Sequence, residues 1–317
     1  MHLQEIPKKE DILSAEKRIH DYVHRTPVFT SSTLNEILGV SVYFKCENLQ
    51  KVGAFKMRGA SNAILSLSKS QLKKGVATHS SGNHAQAVAL AAKLSKIPAY
   101  IVMPQNAPEV KVEAVRRYGA EVIYCESNLK AREETLNEVV EKTGATFIHP
   151  YDDYDVIAGQ ATCAKEMIED TDHLKAIFAP IGGGGLMAGT LLSSQYFGNK
   201  IPVIGAEPKG ADDAYRSWKA GEIIPMDNPD TIADGLRTSV GQRNFPIIQK
   251  YIKDIVTVSD QEIIEAMRLI FNYLKLVVEP SGAVPFASMI KIKEQFKGKK
   301  VGVILCGGNV DLKKLPF

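Results

Sequence analysis

Cysteine is scarce and scattered. The four in 317 residues, Cys46, Cys125, Cys163 and Cys306, form no CxxC pair. That excludes a disulfide-stapled scaffold and a zinc or dithiol motif legible from spacing, and it favours a reducing, cytoplasmic compartment. Long apolar runs are missing too: no window approaches the roughly 18 apolar residues a membrane span needs, and Met1 to Asp21 is polar and charged rather than a signal segment. Neither sign of charge dominates, since 39 Lys and Arg against 36 Asp and Glu leave only +3, dispersed along the chain. No basic stripe marks a nucleic-acid face. Low-complexity tracts and solenoid-length repeats are also absent.

What is present is material for a packed core. A composition 44% hydrophobic and 24% charged is that of a globular protein, and the length sets a prior of about two domains. Ala99 to Met103, Glu121 to Tyr124, Ala176 to Ala179, Val203 to Ala206 and Val301 to Leu305 read as buried strands. Helical patterns lie between them over Ala85 to Lys96, Val110 to Tyr118, Leu129 to Thr143, Leu186 to Phe197 and Gln261 to Leu276. The alternation predicts an α/β protein with open, mostly parallel sheets and helices on both faces, whose ligands bind in loops beyond the carboxyl ends of the strands.

Two such loops carry chemistry. Gly182-Gly183-Gly184-Gly185 follows a strand and opens a helix, so its bare N–H groups and the helix dipole suit a phosphate; the plainer alternative is a tight packing turn. A dinucleotide site fits less well, because the next acidic residue, Glu207, comes about 25 residues on rather than about 20. Ser80-Ser81-Gly82-Asn83-His84 precedes the alanine-rich run Ala85 to Ala92 and reads either as a simple N-cap or as a second anion seat for a substrate carboxylate. Lys56, in Gly53-Ala54-Phe55-Lys56-Met57-Arg58-Gly59, supplies an amine that can condense with an aldehyde. An aldehyde and a phosphate on one molecule describe pyridoxal phosphate.

These motifs, together with Val156-Ile157-Ala158-Gly159-Gln160 and Cys306-Gly307-Gly308-Asn309, resemble the signature set of the serine/threonine dehydratase and serine racemase family, from about Ile12 to Leu312. The resemblance implies the tryptophan synthase β-like fold (fold type II) and a pyridoxal 5'-phosphate cofactor. It divides the chain into a large cofactor-binding domain, 1–70 with 151–317, and a small domain, 71–150. Lys56 would be the Schiff-base lysine and the base at Cα, with Phe55 beside the ring, Asn83 on the ring hydroxyl and Gly182, Gly183, Gly184 and Gly185 on the phosphate. Cys306 would face the pyridine nitrogen, where a thiol leaves the ring largely neutral and suits expulsion of a β-hydroxyl, assisted by the cofactor phosphate as acid. Ser80, Ser81, Asn83 and His84 would seat the substrate, and Ser81 would be the opposing proton donor that racemisation requires. Arg132 is either a solvated helix charge or the partner of a second substrate carboxylate.

Glu207-Pro208-Lys209-Gly210-Ala211-Asp212-Asp213 is on its own either a hard-oxygen cation site or the acidic start of a helix. The resemblance implies the former, with Mg2+ (or Mn2+/Ca2+) on Glu207, the Ala211 carbonyl and Asp213. The expected function is an L-serine/L-threonine ammonia-lyase with serine racemase activity beside it. The alternatives are a threo-3-hydroxyaspartate ammonia-lyase and, from another class, a non-catalytic amino-acid or cofactor-binding protein, which an intact Lys56 opposes. Two departures tilt the expectation towards elimination or weaken it locally: Tyr151-Asp152-Asp153-Tyr154 resembles the dehydratase form of a substrate loop, and Ala161 stands where glycine is usual. A homodimer is implied and a nucleotide effector is left open. The chain ends eight residues after Asn309, so no appended regulatory domain is expected. His79, His149, His173 and Trp218 read as structural groups, and Glu279-Pro280-Ser281 as a helix stop and cap, with a place for the glutamate near the cofactor ring as the alternative.

Overall fold

The structure is a computed structural model that describes residues 2–317. Met1, the first residue of the expected large domain, lies outside the described residues. The strands are β1 (Val28–Phe29), β2 (Ser41–Cys46), β3 (Val76–His79), β4 (Ala99–Pro104), β5 (Glu121–Cys125), β6 (Thr146–Phe147), β7 (Ala176–Pro180), β8 (Val203–Pro208), β9 (Asp254–Val258) and β10 (Lys300–Leu305). They form a six-stranded sheet in the order β1-β2-β10-β7-β8-β9 and a four-stranded sheet in the order β5-β4-β3-β6. All pairs are parallel except β1 with β2.

Burial explains the strand compositions. β7 is buried along its whole length, as a strand covered by helices on both faces must be. One core packs Phe44, Phe178 and Phe286 with the apolar face of the helix Asp260–Leu274, and the rings of Phe44 and Phe286 meet edge to face at 5.0 Å. The second face of the large sheet packs the helices Tyr154–Asp170 and Gly185–Phe197. The small sheet has its own core of Val76, Ile101 and Met103 against the alanine-rich helix Asn83–Ser95, whose small side chains let it lie close. Local signals set helix ends: Leu129–Thr143 starts where Asn128 Oδ1 accepts the Ala131 N–H at 2.8 Å and stops at Gly144 with φ 71°.

The anticipated strands and helices lie within two residues of those observed. The strands not anticipated were β1, β2, β3, β6 and β9, along with eight helices, among them Lys56–Leu65, Tyr154–Asp170 and Pro280–Lys291; β2 shows why, since Lys45, in a buried strand, is itself fully buried and paired with Glu166. No helix is long and apolar enough to cross a membrane among the described residues.

Candidate active site

Parallel strands deliver their carboxyl ends to one place. A cavity of about 700 Å³ is bounded by the segments that follow β3, β6, β7 and β10 and by the first turns of the helices Lys56–Leu65 and Leu129–Thr143. Phe55, Lys56, Ser80, Ser81, Asn83, His84, Arg132, Gly182 to Gly185 and Cys306 all line it, so residues scattered over 250 positions of sequence share one space.

Lys56 begins the helix Lys56–Leu65, and its Nζ donates to the Pro150 carbonyl at 2.7 Å and lies 5.1 Å from the centre of the Phe55 ring. Burial pushes its pKa down to about 8, against the opposing pull of Glu279. An amine that low has a substantial neutral fraction near physiological pH, as a nucleophile or base needs. Cys306 follows β10 directly; burial drives its thiol well up, so it faces the cavity as a neutral group.

The glycine loop is a cradle that side chains would fill. A Cβ on Gly183 would lie 2.2 Å from the Tyr151 ring, and Gly184 has φ +91°. The N–H groups of Gly182, Gly183 and Gly184 donate no hydrogen bond among the described residues, while the Gly183 carbonyl is held by Gly241 N and Asn244 Nδ2. Free donors at the start of the helix Gly185–Phe197 fit a phosphate, and with Lys56 across the cavity the residues present fit pyridoxal phosphate.

Asn83 is more constrained than sequence suggested. Its Nδ2 donates to both oxygens of Glu279 at 2.9 and 3.2 Å, and its Oδ1 accepts from Asn309 Nδ2 at 2.8 Å. Glu279, expected first as a helix cap and otherwise near the cofactor ring, makes no cap bond; its buried side chain lines the cavity, and burial raises its pKa to about 7 despite Asn83. Sequence reasoning also set His149 aside as structural, whereas it lines the cavity with Tyr151 and Gln160. Gln160 Oε1 accepts the Gly59 N–H at 3.1 Å, and no space exists there for a Cβ on Gly59. Arg132 is partly buried, its Nε has no partner, and it is among the residues that line the cavity. His84 bonds the Ile148 carbonyl through Nε2 and is kept neutral by burial.

Glu207, Ala211 and Asp213 lie at the end of β8, outside the cavity lining. All three are buried. The Glu207 carboxylate accepts the Ala214 and Tyr215 N–H groups at 3.1 and 2.7 Å, so it does cap the helix Asp213–Ala220. Asp213 Oδ2 accepts the Val240 N–H at 2.8 Å, but its Oδ1 is buried without a partner. Burial first, then Asp213, raises Glu207 well above the carboxylate range, and burial pushes Asp213 up to about 6. Arg216 is engaged by Asp212. Two buried carboxylates and an orphaned oxygen are a donor set that fits a hard divalent cation.

The family model described as pyridoxal-phosphate dependent enzyme matches residues 19–307. The chain is 52% identical to the beta-hydroxyaspartate dehydratase of Paracoccus denitrificans, over 98% of this chain and 99% of that protein. It is 46% identical to the L-threo-3-hydroxyaspartate ammonia-lyase of Saccharomyces cerevisiae, over 98% and 95%. Among solved structures, the serine racemase of Dictyostelium discoideum superposes with a TM-score of 0.92 at 48% identity, covering 96% of this chain and 99% of that one. The two sheets are thus those of the tryptophan synthase β-like fold, and the chain belongs to the family of pyridoxal-phosphate dependent enzymes.

Proposed function

We propose that this enzyme is an ammonia-lyase (dehydratase) acting on L-serine and L-threonine, releasing a 2-oxo acid and ammonia, with serine racemisation as a second outcome at the same site. The observation that carries it is Lys56, an amine with its pKa lowered to about 8, set in one cavity with a glycine loop whose N–H groups are free. When bound, pyridoxal phosphate supplies an aldehyde for the substrate amine and an electron sink that acidifies the Cα proton.

The chain's residues supply the remainder. Gly182 to Gly185 would hold the phosphate, Phe55 would flank the ring and Cys306 would meet its nitrogen without charging it. Asn83 would reach the ring hydroxyl with an amide already oriented by Glu279 and Asn309. Ser80, Ser81, Asn83 and His84, at the start of the helix Asn83–Ser95, would seat the substrate carboxylate; the Ser81, Asn83 and His84 N–H groups are free for it among the described residues, while that of Ser80 is taken by the Val102 carbonyl. Lys56 Nζ would take the Cα proton, held in place by the Pro150 carbonyl. Ser81 would return a proton to the opposite face when the outcome is inversion. Glu207, the Ala211 carbonyl and Asp213 would hold Mg2+, Mn2+ or Ca2+ as a structural ion away from the chemistry. The division into 1–70 with 151–317 and 71–150, a cytoplasmic homodimer and a nucleotide effector belong to the same proposal.

A second substrate is favoured by Arg132: its unpartnered Nε beside the cavity suits the additional carboxylate of threo-3-hydroxyaspartate. A merely binding protein has no use for an amine so depressed in pKa. The test is a panel of L-serine, D-serine, L-threonine and threo-3-hydroxyaspartate, followed for 2-oxo acid and for change of configuration. Lys56→Ala should abolish every turnover and the visible band of the lysine-bound cofactor, while Ser81→Ala should abolish inversion and spare elimination. Turnover of none of the four by the wild-type protein sinks the proposal.

A further inference from the structure

His149 is held in a single tautomer. Its Nδ1 accepts two backbone N–H groups, Asp152 N at 2.8 Å and Tyr151 N at 3.2 Å. A ring nitrogen that accepts cannot carry a proton, so the proton sits on Nε2. Nε2 has no hydrogen-bond partner among the described residues and is not sealed off in the interior, and the ring lines the cavity. The ring is wedged between Phe147, at 5.4 Å, and Tyr151, edge-on at 4.7 Å. Burial, then the neighbouring His79, pushes its pKa down to about 4, so it stays neutral through the physiological range. The next residue, Pro150, provides the carbonyl that holds Lys56 Nζ. A fixed, neutral N–H donor therefore stands in the same loop as the anchor of the base.

We propose that His149 Nε2–H donates a hydrogen bond to the oxygen on the substrate's Cβ and stabilises it as it leaves. This rests on the ammonia-lyase function proposed above. In the elimination the Cβ–O bond breaks with its electron pair going to oxygen, and the proton that Lys56 Nζ removes from Cα is passed from the resulting ammonium to the departing hydroxide, which leaves as water. His149 keeps its own proton throughout: its role is to meet growing negative charge with a preorganised donor, not to act as acid or base. His79, which also lines the cavity, has no such tautomeric lock and takes no part.

Two substitutions separate the ring's halves. His149→Asn places an amide oxygen near the Nδ1 position, keeping the loop contacts and losing the donor; His149→Gln places an amide N–H near Nε2 and loses the loop acceptor. The expected result is that His149→Asn lowers kcat on L-serine by roughly 100-fold, the usual cost of one such donor. It should leave melting temperature and the lysine-bound cofactor band unchanged and β-chloroalanine elimination nearly so, because chloride needs no hydrogen bond to depart. His149→Gln should recover part of the L-serine rate. Nitrogen-15 NMR of labelled histidine should report an Nε2–H ring that does not titrate between pH 5.5 and 9, in the cofactor-free protein as well. Equal losses on serine and β-chloroalanine, no loss on either, or a ring protonated on Nδ1 would each overturn the assignment. Absence of 2-oxo acid from the wild-type enzyme would instead remove the underlying function, and this role with it.

Discussion

Two pairs of buried carboxylates in this protein have been given opposite surroundings. Glu47 and Glu166 share Arg58, which donates to both oxygens of each at 2.7 to 2.8 Å, and Lys45 adds a second cation on Glu166 at 2.6 Å. Burial would raise Glu47, but Arg58 outweighs it and holds the carboxyl below its ordinary range. Glu207 and Asp213 are as deeply buried and have only backbone N–H groups, with one oxygen left bare. The first pair is closed, two charges of each sign, and ties the helix Lys56–Leu65 to the helix Tyr154–Asp170 two residues from the reactive lysine. The second is open and must borrow its positive charge, from a metal ion or from protons.

The largest effect should come from opening the closed pair. Arg58→Met leaves Glu47 buried without a counter-charge and Glu166 with Lys45 alone, and loss of one partner from a buried network costs about 3–5 kcal/mol. Urea unfolding at pH 7.5 should show it, and Glu47→Gln added to Arg58→Met should recover part of the loss. A single variant as stable as wild type would mean that water reaches the network.

Closing the open pair is the next largest. A divalent ion bound only by the folded chain contributes about 2.7 kcal/mol at a hundredfold excess over its Kd, so chelation should lower the melting temperature and Mg2+, Mn2+ or Ca2+ should restore it. Glu207→Gln should erase that response. A melting curve indifferent to chelator and to all three ions would leave protons as the neutralising charge.

Glu279 is a third case, a buried carboxylate met only by neutral amides. Its folded pKa, raised from 4.5 to about 7 by burial, lies above the unfolded value. Between those two values the unfolded chain gives up its proton while the folded chain keeps it, so stability should fall as pH rises through that window. The contribution is at most about 3 kcal/mol at 1.36 kcal/mol per unit. Glu279→Gln should flatten this fall in unfolding free energies measured from pH 4.5 to 7.5; an unchanged slope would show that Glu279 is ionised throughout.

How much was legible depended on distance along the chain. Lys56, the glycine loop and the serine loop announce themselves because each is a short run whose residue types and neighbouring element are contiguous. Glu279 read first as a cap, because its partner Asn83 is 196 residues away and Glu-Pro-Ser reads locally as a helix start. His149 looked like any lone histidine, since its tautomer is set by how residues 150 to 152 fold back on it. β2 hid behind Lys45, a charge whose burial is tolerable only because Glu166, 121 residues on, arrives beside it. Ionic partners converge in space, and a periodicity search has no signal for them.

The smallest effect belongs to a network whose cation can be switched off. His2 places Nδ1 against Asp155 and Nε2 3.2 Å from Asp153, so one imidazolium bridges two carboxylates. The hydrogen bond with Asp153 is the main cause of a pKa raised above the ordinary 6.5. Its contribution should be complete below pH 6.5 and disappear as pH rises through the raised folded value. His2 is 43% exposed, which screens the pair to under about 1 kcal/mol. His2→Asn should therefore cost a few tenths of a kcal/mol at pH 6 in low salt, and nothing at pH 9 or in high salt, by urea unfolding. A loss that persists at pH 9 would assign His2 to packing instead. The contrast with Arg58 would then rest on burial alone rather than on whether the cation can lose its proton.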